Sequence, residues 1–183
     1  MASLDPPDEQ QYLDFLDEIG AEFPELRLIQ KRDSLLQRSI GVALRVLTFG
    51  GQRRYMKRYV TTIGMRIYLP YDWDERPPAA RIVTLRHERV HLRQFRRWTL
   101  PLMAVLYVLF PLPMGLSWAR MRFEREAYEE TLRAAVELYG PSRVRRRIYR
   151  KYVIGQFVTG RYGWMWPFRR SLERWYDELV ATL

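Results

Sequence analysis

The stretch Arg86-His87-Glu88-Arg89-Val90-His91-Leu92-Arg93-Gln94 decides how this chain folds, because it carries both histidines found in 183 residues. Histidines spaced by four lie one turn apart on the same face of a helix. Two imidazoles so placed can grip one Zn²⁺. A glutamate directly after the first then stands beside the metal, where it can take the proton of a water molecule. The pattern predicts a helix from about Pro78 to Trp98. Thr84, His87, Glu88, His91, Gln94 and Phe95 share one side of it, while Arg81, Arg86, Arg89, Arg93, Arg96 and Arg97 cover much of the rest. Val83, Val90 and Leu92 leave apolar surface for packing. The rival reading is a helix with two surface histidines.

Upstream, Tyr59 to Leu69 alternates between two faces and predicts one strand, ended by Pro70. A loop rich in Pro, Asp and Trp joins it to the motif helix. Arg53-Arg54-Tyr55-Met56-Lys57-Arg58-Tyr59 reads first as a solvated connection and second as a contact for phosphate or headgroups. One helix is expected from Asp33 to the break at Gly50-Gly51. Another starts at Asp5-Pro6-Pro7, where Asp caps and proline tolerates the first turn, and runs through Tyr12, Phe15, Leu16 and Ile19 to Gly20. Its exposed face is acidic, unlike everything after it. A peripheral helix is the preferred reading, and an arm docked on the basic body is the alternative.

Downstream, no charged residue occurs from Trp98 to Ala119. One straight helix over this run would span about 33 Å, enough to cross a bilayer. Pro111-Leu112-Pro113 and Gly115 favour a break into two short arms instead. Arginines flank both ends (Arg96, Arg97; Arg120, Arg122, Arg125), so both ends suit the same aqueous face. The run reads equally as a hairpin dipping into one leaflet and as a buried helical hairpin of a soluble core. A helix follows from Ser117 to Tyr139, closed by Gly140-Pro141. The next, capped by Ser142, is expected to turn Val144, Ile148, Tyr152 and Phe157 inward. After a turn at 160–163, a last helix from Phe168 to Leu183 carries the stripe Leu172, Trp175, Tyr176, Leu179 and Val180.

A catalytic zinc keeps three protein ligands and one open position. With no cysteine in the chain and both histidines used, the third ligand must be Asp or Glu. The acidic segment Phe123-Glu124-Arg125-Glu126-Ala127-Tyr128-Glu129-Glu130 is the place to look. At about 100° per residue, Met121, Ala127, Tyr128, Thr131, Leu132, Ala135, Leu138 and Tyr139 form an apolar face with Glu124 at its middle. Glu126 and Glu130 point nearly the opposite way. A carboxylate inside an apolar face is costly unless something pairs with it. Zinc would do so, and so would an arginine. Glu124 is the expected ligand, with Glu126 in reserve. Because Zn–N and Zn–O bonds are about 2 Å long, such a site requires residues 98–119 to fold back.

His87-Glu88-Arg89-Val90-His91, followed by a helix reading Glu124-Arg125-Glu126-Ala127-Tyr128, resembles the gluzincin clan of zinc metallopeptidases. The likeness is to the branch that holds the C-a-a-X prenyl proteases and small minimal gluzincins. There the first glutamate of the second motif is the metal ligand, so the resemblance implies Glu124. Tyr128 stands where that pattern often has aspartate. The resemblance covers about residues 59 to 139. It implies an α+β, predominantly helical fold with a zincin-like core: an edge strand (59 to 69), an active-site helix and a Glu-bearing helix. Extra N- and C-terminal helices lie outside this core. In such enzymes substrate is added as an extended peptide beside the edge strand.

At this length and 48% hydrophobic content, one domain is the expectation, organised as 1–58, 59–139 and 140–183. The lack of cysteine excludes disulfides and thiolate metal sites. No secretory signal is visible, and the expected location is cytoplasmic, with membrane association if 98–119 enters a leaflet. The net charge of +10 suits anionic partners, namely a membrane surface or nucleic acid. The leading function is a zinc-dependent hydrolase, a metallopeptidase acting on a peptide or protein substrate. In it His87, His91 and Glu124 hold Zn²⁺ and Glu88 is the general base. Tyr128, Tyr152, Tyr162 and Arg161 are candidates for stabilising the oxyanion. The alternative is a basic structural or interaction protein with a vestigial or structural zinc site, resting on anionic membrane or nucleic acid. Nothing in the sequence sets the oligomeric state.

Overall fold

The computed structural model describes residues 7–47, 55–98, 100–104, 117–159 and 165–183. Among these, helices predominate around a three-stranded sheet. The chain forms two compact units, Asp8–Arg96 and one built mainly from Arg97–Leu183.

The first unit runs α1 (Glu9–Glu22), β1 (Arg27–Gln30), a 3-10 turn (Lys31–Asp33), α2 (Leu35–Leu47), α3 (Tyr55–Arg58), β2 (Thr61–Ile63), β3 (Arg66–Leu69) and α4 (Pro78–Trp98). A capping box starts α1. The Asp8 side chain accepts from the Gln11 amide, and the Gln11 side chain accepts from the Asp8 amide. The cap expected at Asp5 lies outside the described residues, and the helix continues past Gly20 to Glu22.

The single strand expected over 59–69 is instead a hairpin. Gly64 adopts φ 58°, a left-handed conformation that glycine enters without a Cβ clash, and the chain reverses there. The alternating pattern continues through the turn, which is why the sequence reads as one strand. β3 is central, in the order β1-β3-β2: Leu28 lies opposite Ile67 in a parallel pairing and Thr62 opposite Ile67 in an antiparallel one. Ile67, Tyr68 and Leu69 are all buried, as a covered central strand requires. β1 has no counterpart in the sequence reading. Four residues paired to a strand far along the chain carry almost no local signal.

The docked-arm alternative is the one observed for α1. Its acidic face lies on the arginines of α4: Glu22 accepts from Arg93 Nε at 2.6 Å, Glu18 from Arg89 at 2.8 Å, and Glu9 pairs with Arg81. Arg81 and Arg96 stack over Tyr12 and Phe23, 4.1 and 4.3 Å from the ring centroids. Trp73 Nε1 donates to the Tyr12 hydroxyl at 3.2 Å. The Arg93 hydrogen bond, opposed by burial, holds the Glu22 carboxyl below its ordinary range.

The second unit contains α5 (Leu100–Ala104), α6 (Trp118–Tyr139), α7 (Pro141–Arg145), α8 (Arg147–Val158) and α9 (Arg169–Thr182). Tyr128, Leu132, Ile154, Phe157, Trp175 and Tyr176 form the centre of its core. The Phe157 ring meets Tyr128 and Trp175 at 5.4 and 5.8 Å between centroids. Gly140, at φ 79°, ends α6, and Pro141 opens α7. The helix expected from Ser142 onward is broken at Arg146, whose ψ of 131° is extended. The break shifts the helical phase. Val144 and Phe157 are buried as expected, but Ile148 and Tyr152 are 78% and 52% exposed, and Val153 and Ile154 take the inward places. The proline break at 111–113 and the turn at 160–163 lie outside the described residues. Among the described residues no helix is long and apolar enough to cross a membrane.

Candidate metal centre

On the expected side of α4 four residues are buried, while Thr84 and Phe95 are half-buried and Arg81, expected elsewhere on the helix, is buried as well. His87, Glu88, His91 and Gln94 are each less than a tenth exposed, a row of polar groups that burial tolerates only when partners answer them. The two Nε2 atoms face each other at 3.2 Å, with the rings edge-on at 74° and 4.9 Å between centroids. Two nitrogens each about 2.0–2.1 Å from one tetrahedral Zn²⁺ stand about 3.3 Å apart, so this pair already has the spacing of two ligands of one metal. His91 Nδ1 lies 2.9 Å from Gln94 Oε1. In this amide orientation the oxygen accepts only, so Nδ1 carries the proton and Nε2 presents its lone pair. In the metal-free protein the same Nε2 lone pair can accept a hydrogen bond from His87.

Glu124 sits on α6 and is 1% exposed, while Glu126 is exposed. The carboxylate at the middle of the apolar face is therefore the buried one, as the helical phase predicts. One ligand atom each from His87, His91 and Glu124 lie within 4.8 Å of one another. Among the described residues these three form a buried group that can hold a metal ion. Two imidazole nitrogens and a carboxylate oxygen are a donor set that zinc accepts.

Glu88, next to the first histidine, is held by a residue the sequence did not single out. Thr62 on β2 donates its hydroxyl to Glu88 Oε2 at 2.6 Å. Lys31, which the sequence did not single out either, is 0% exposed. Burial pushes its ammonium down to about 7, and the Glu88 carboxylate opposes that shift. No local pattern marks either one, and Thr62 reads as an ordinary strand residue. Of the candidates for an oxyanion role, Tyr128 is buried one turn along α6 from Glu124 and packs on Phe157, whereas Tyr152 is half exposed. Arg161 and Tyr162 lie outside the described residues.

Comparison of the chain with protein-family models, with curated proteins and with solved structures finds no match. The functional reading rests on these side chains.

Proposed function

We propose that the chain is a zinc-dependent hydrolase, specifically a metallopeptidase with a zincin-like core. The observation that carries this reading is the 3.2 Å separation of the two buried imidazole nitrogens, with a glutamate held beside them. His87, His91 and Glu124 would hold the zinc. Bound there, zinc supplies a Lewis acid and lowers the pKa of a water to about 7. Glu88 takes the proton of the attacking water and returns it to the leaving amine. Thr62 occupies one oxygen of that carboxylate, so the proton travels on the other. Because β2 ends the sheet and carries Thr62, an extended peptide paired to β2 would lie alongside Glu88. The likeness to minimal gluzincins supports the same assignment.

Metal analysis joined to a fluorogenic casein assay tests it. Wild type and Glu88→Gln are both expected to carry about one zinc per chain, with His87→Ala carrying none. Glu88→Gln should lose hydrolysis by about 10²–10⁴-fold. Casein cleavage at the wild-type rate by Glu88→Gln would refute the role given to Glu88.

A second reading is a peripheral protein on an anionic lipid surface. It is favoured by Ile148, 78% exposed among the exposed Arg145, Arg146 and Arg147. Flotation with phosphatidylserine vesicles but not with phosphatidylcholine vesicles is the expected result. Equal flotation with both removes the support.

A further inference from the structure

α2 turns apolar side chains to the solvent. Leu35, Leu36 and Val42 are 77%, 50% and 63% exposed, whereas Gln37 on the same helix is 0% exposed. At roughly 100° per residue the three apolar side chains fall within about 120° of arc, with Gln37 nearly opposite. A helix of a water-soluble surface has the reverse arrangement, its apolar stripe inward and its polar face out. Single exposed leucines are ordinary, but a continuous exposed stripe marks a surface that something covers.

The border of the stripe says what covers it. Arg38 is exposed one turn before Val42, and Lys57 is exposed on α3, which packs against α2. From Ser34 to Tyr71 the sequence holds seven Lys and Arg and no Asp or Glu. Asp33, just before α2, sits 4.0 Å from Arg32, and both are exposed. Apolar side chains edged by cations match acyl chains lying beneath anionic headgroups. A second copy on the same face would bring two cationic rims together, and nucleic acid would leave the leucines in water.

We propose that α2 is an interfacial helix: Leu35, Leu36 and Val42 enter the headgroup region of an anionic bilayer, with Arg38 and Lys57 at the level of the phosphates. This stands apart from the hydrolase reading. It also stands apart from Ile148, which belongs to the other unit.

The chain has no cysteine, so Val42→Cys offers a single attachment point for a polarity-sensitive nitrobenzoxadiazole dye. On vesicles of equal parts phosphatidylserine and phosphatidylcholine, the emission of the labelled full chain should rise and shift to the blue. On phosphatidylcholine alone it should stay as in buffer. No change on either vesicle, or the same change on both, overturns the proposal.

Flotation with the same vesicles gives the second readout. Leu35→Gln combined with Val42→Gln should lower vesicle affinity about tenfold, because binding scales with the apolar area that enters the interface. Arg38→Gln should lower it about fivefold, and added salt should shrink that difference. These side chains are exposed, so Tm should stay at the wild-type value. Wild-type affinity in the double variant overturns the proposal, even if the surface around Ile148 holds vesicles by itself. A dimer in sedimentation that the double variant dissolves, without vesicle binding by wild type, gives the face to a second copy and overturns it as well.

Discussion

Gln94 offers a sharp test of the metal centre, because it touches a proposed ligand without being one. Gln94→Leu removes the oxygen that lies 2.9 Å from His91 Nδ1 and leaves the shape of a buried side chain largely intact. The hydrogen bond itself is worth about 0.5–1.5 kcal/mol. Loss of an orienting partner behind a ligating histidine typically weakens metal binding about 10–100-fold, which is about 1.4–2.7 kcal/mol. The two ranges meet near tenfold, the loss expected for a neutral amide. Gln94→Glu should act in the opposite direction, because a carboxylate on Nδ1–H makes Nε2 a stronger donor. Zinc affinity measured by competition with a chromophoric chelator, at one pH and salt concentration, reads both changes. His87→Ala provides the complete loss against which they are scaled. If Gln94→Leu binds zinc as tightly as wild type while His87→Ala does not bind, Gln94 does not orient His91.

In chelator-treated protein, the Lys31 ammonium is held at about 7 against an ordinary 10.5, so the unfolded chain binds more protons between those values. Stability should rise as pH climbs from about 7 towards 10 and stay flat below 7. Urea unfolding across that range reads the slope, and an identical slope in Lys31→Met would sink the assignment. Glu22→Gln weakens the pairing of α1 with Arg89 and Arg93. It should cost about 1–2 kcal/mol, with added salt destabilising wild type more than the variant. Equal salt responses would show that the ion pairs contribute nothing. Phe157→Ala opens a cavity between Tyr128 and Trp175 and should cost about 3–5 kcal/mol by chemical denaturation. A loss under 1 kcal/mol would mean that the core there collapses to fill the gap.

The sequence by itself determined the two helices that carry the candidate site. Their periodicity is local: spacing by three and four sets which side chains share a face, so the buried row on α4 and Glu124 on α6 could be read before any packing was known. Tertiary structure decided what depends on distant pairing. The stretch 59–69 became a hairpin because one glycine turns it, and β1 exists because β3 is there to bond it. Ile148 and Tyr152 face outward beyond the break at Arg146, where Val153 and Ile154 take the inward places. The acidic helix docked because α4 presents the matching arginines. Thr62 meets Glu88 only in the folded chain, from 26 residues away. Helical phase is written residue by residue, whereas the surroundings of a buried carboxylate are set by whichever strands end beside it.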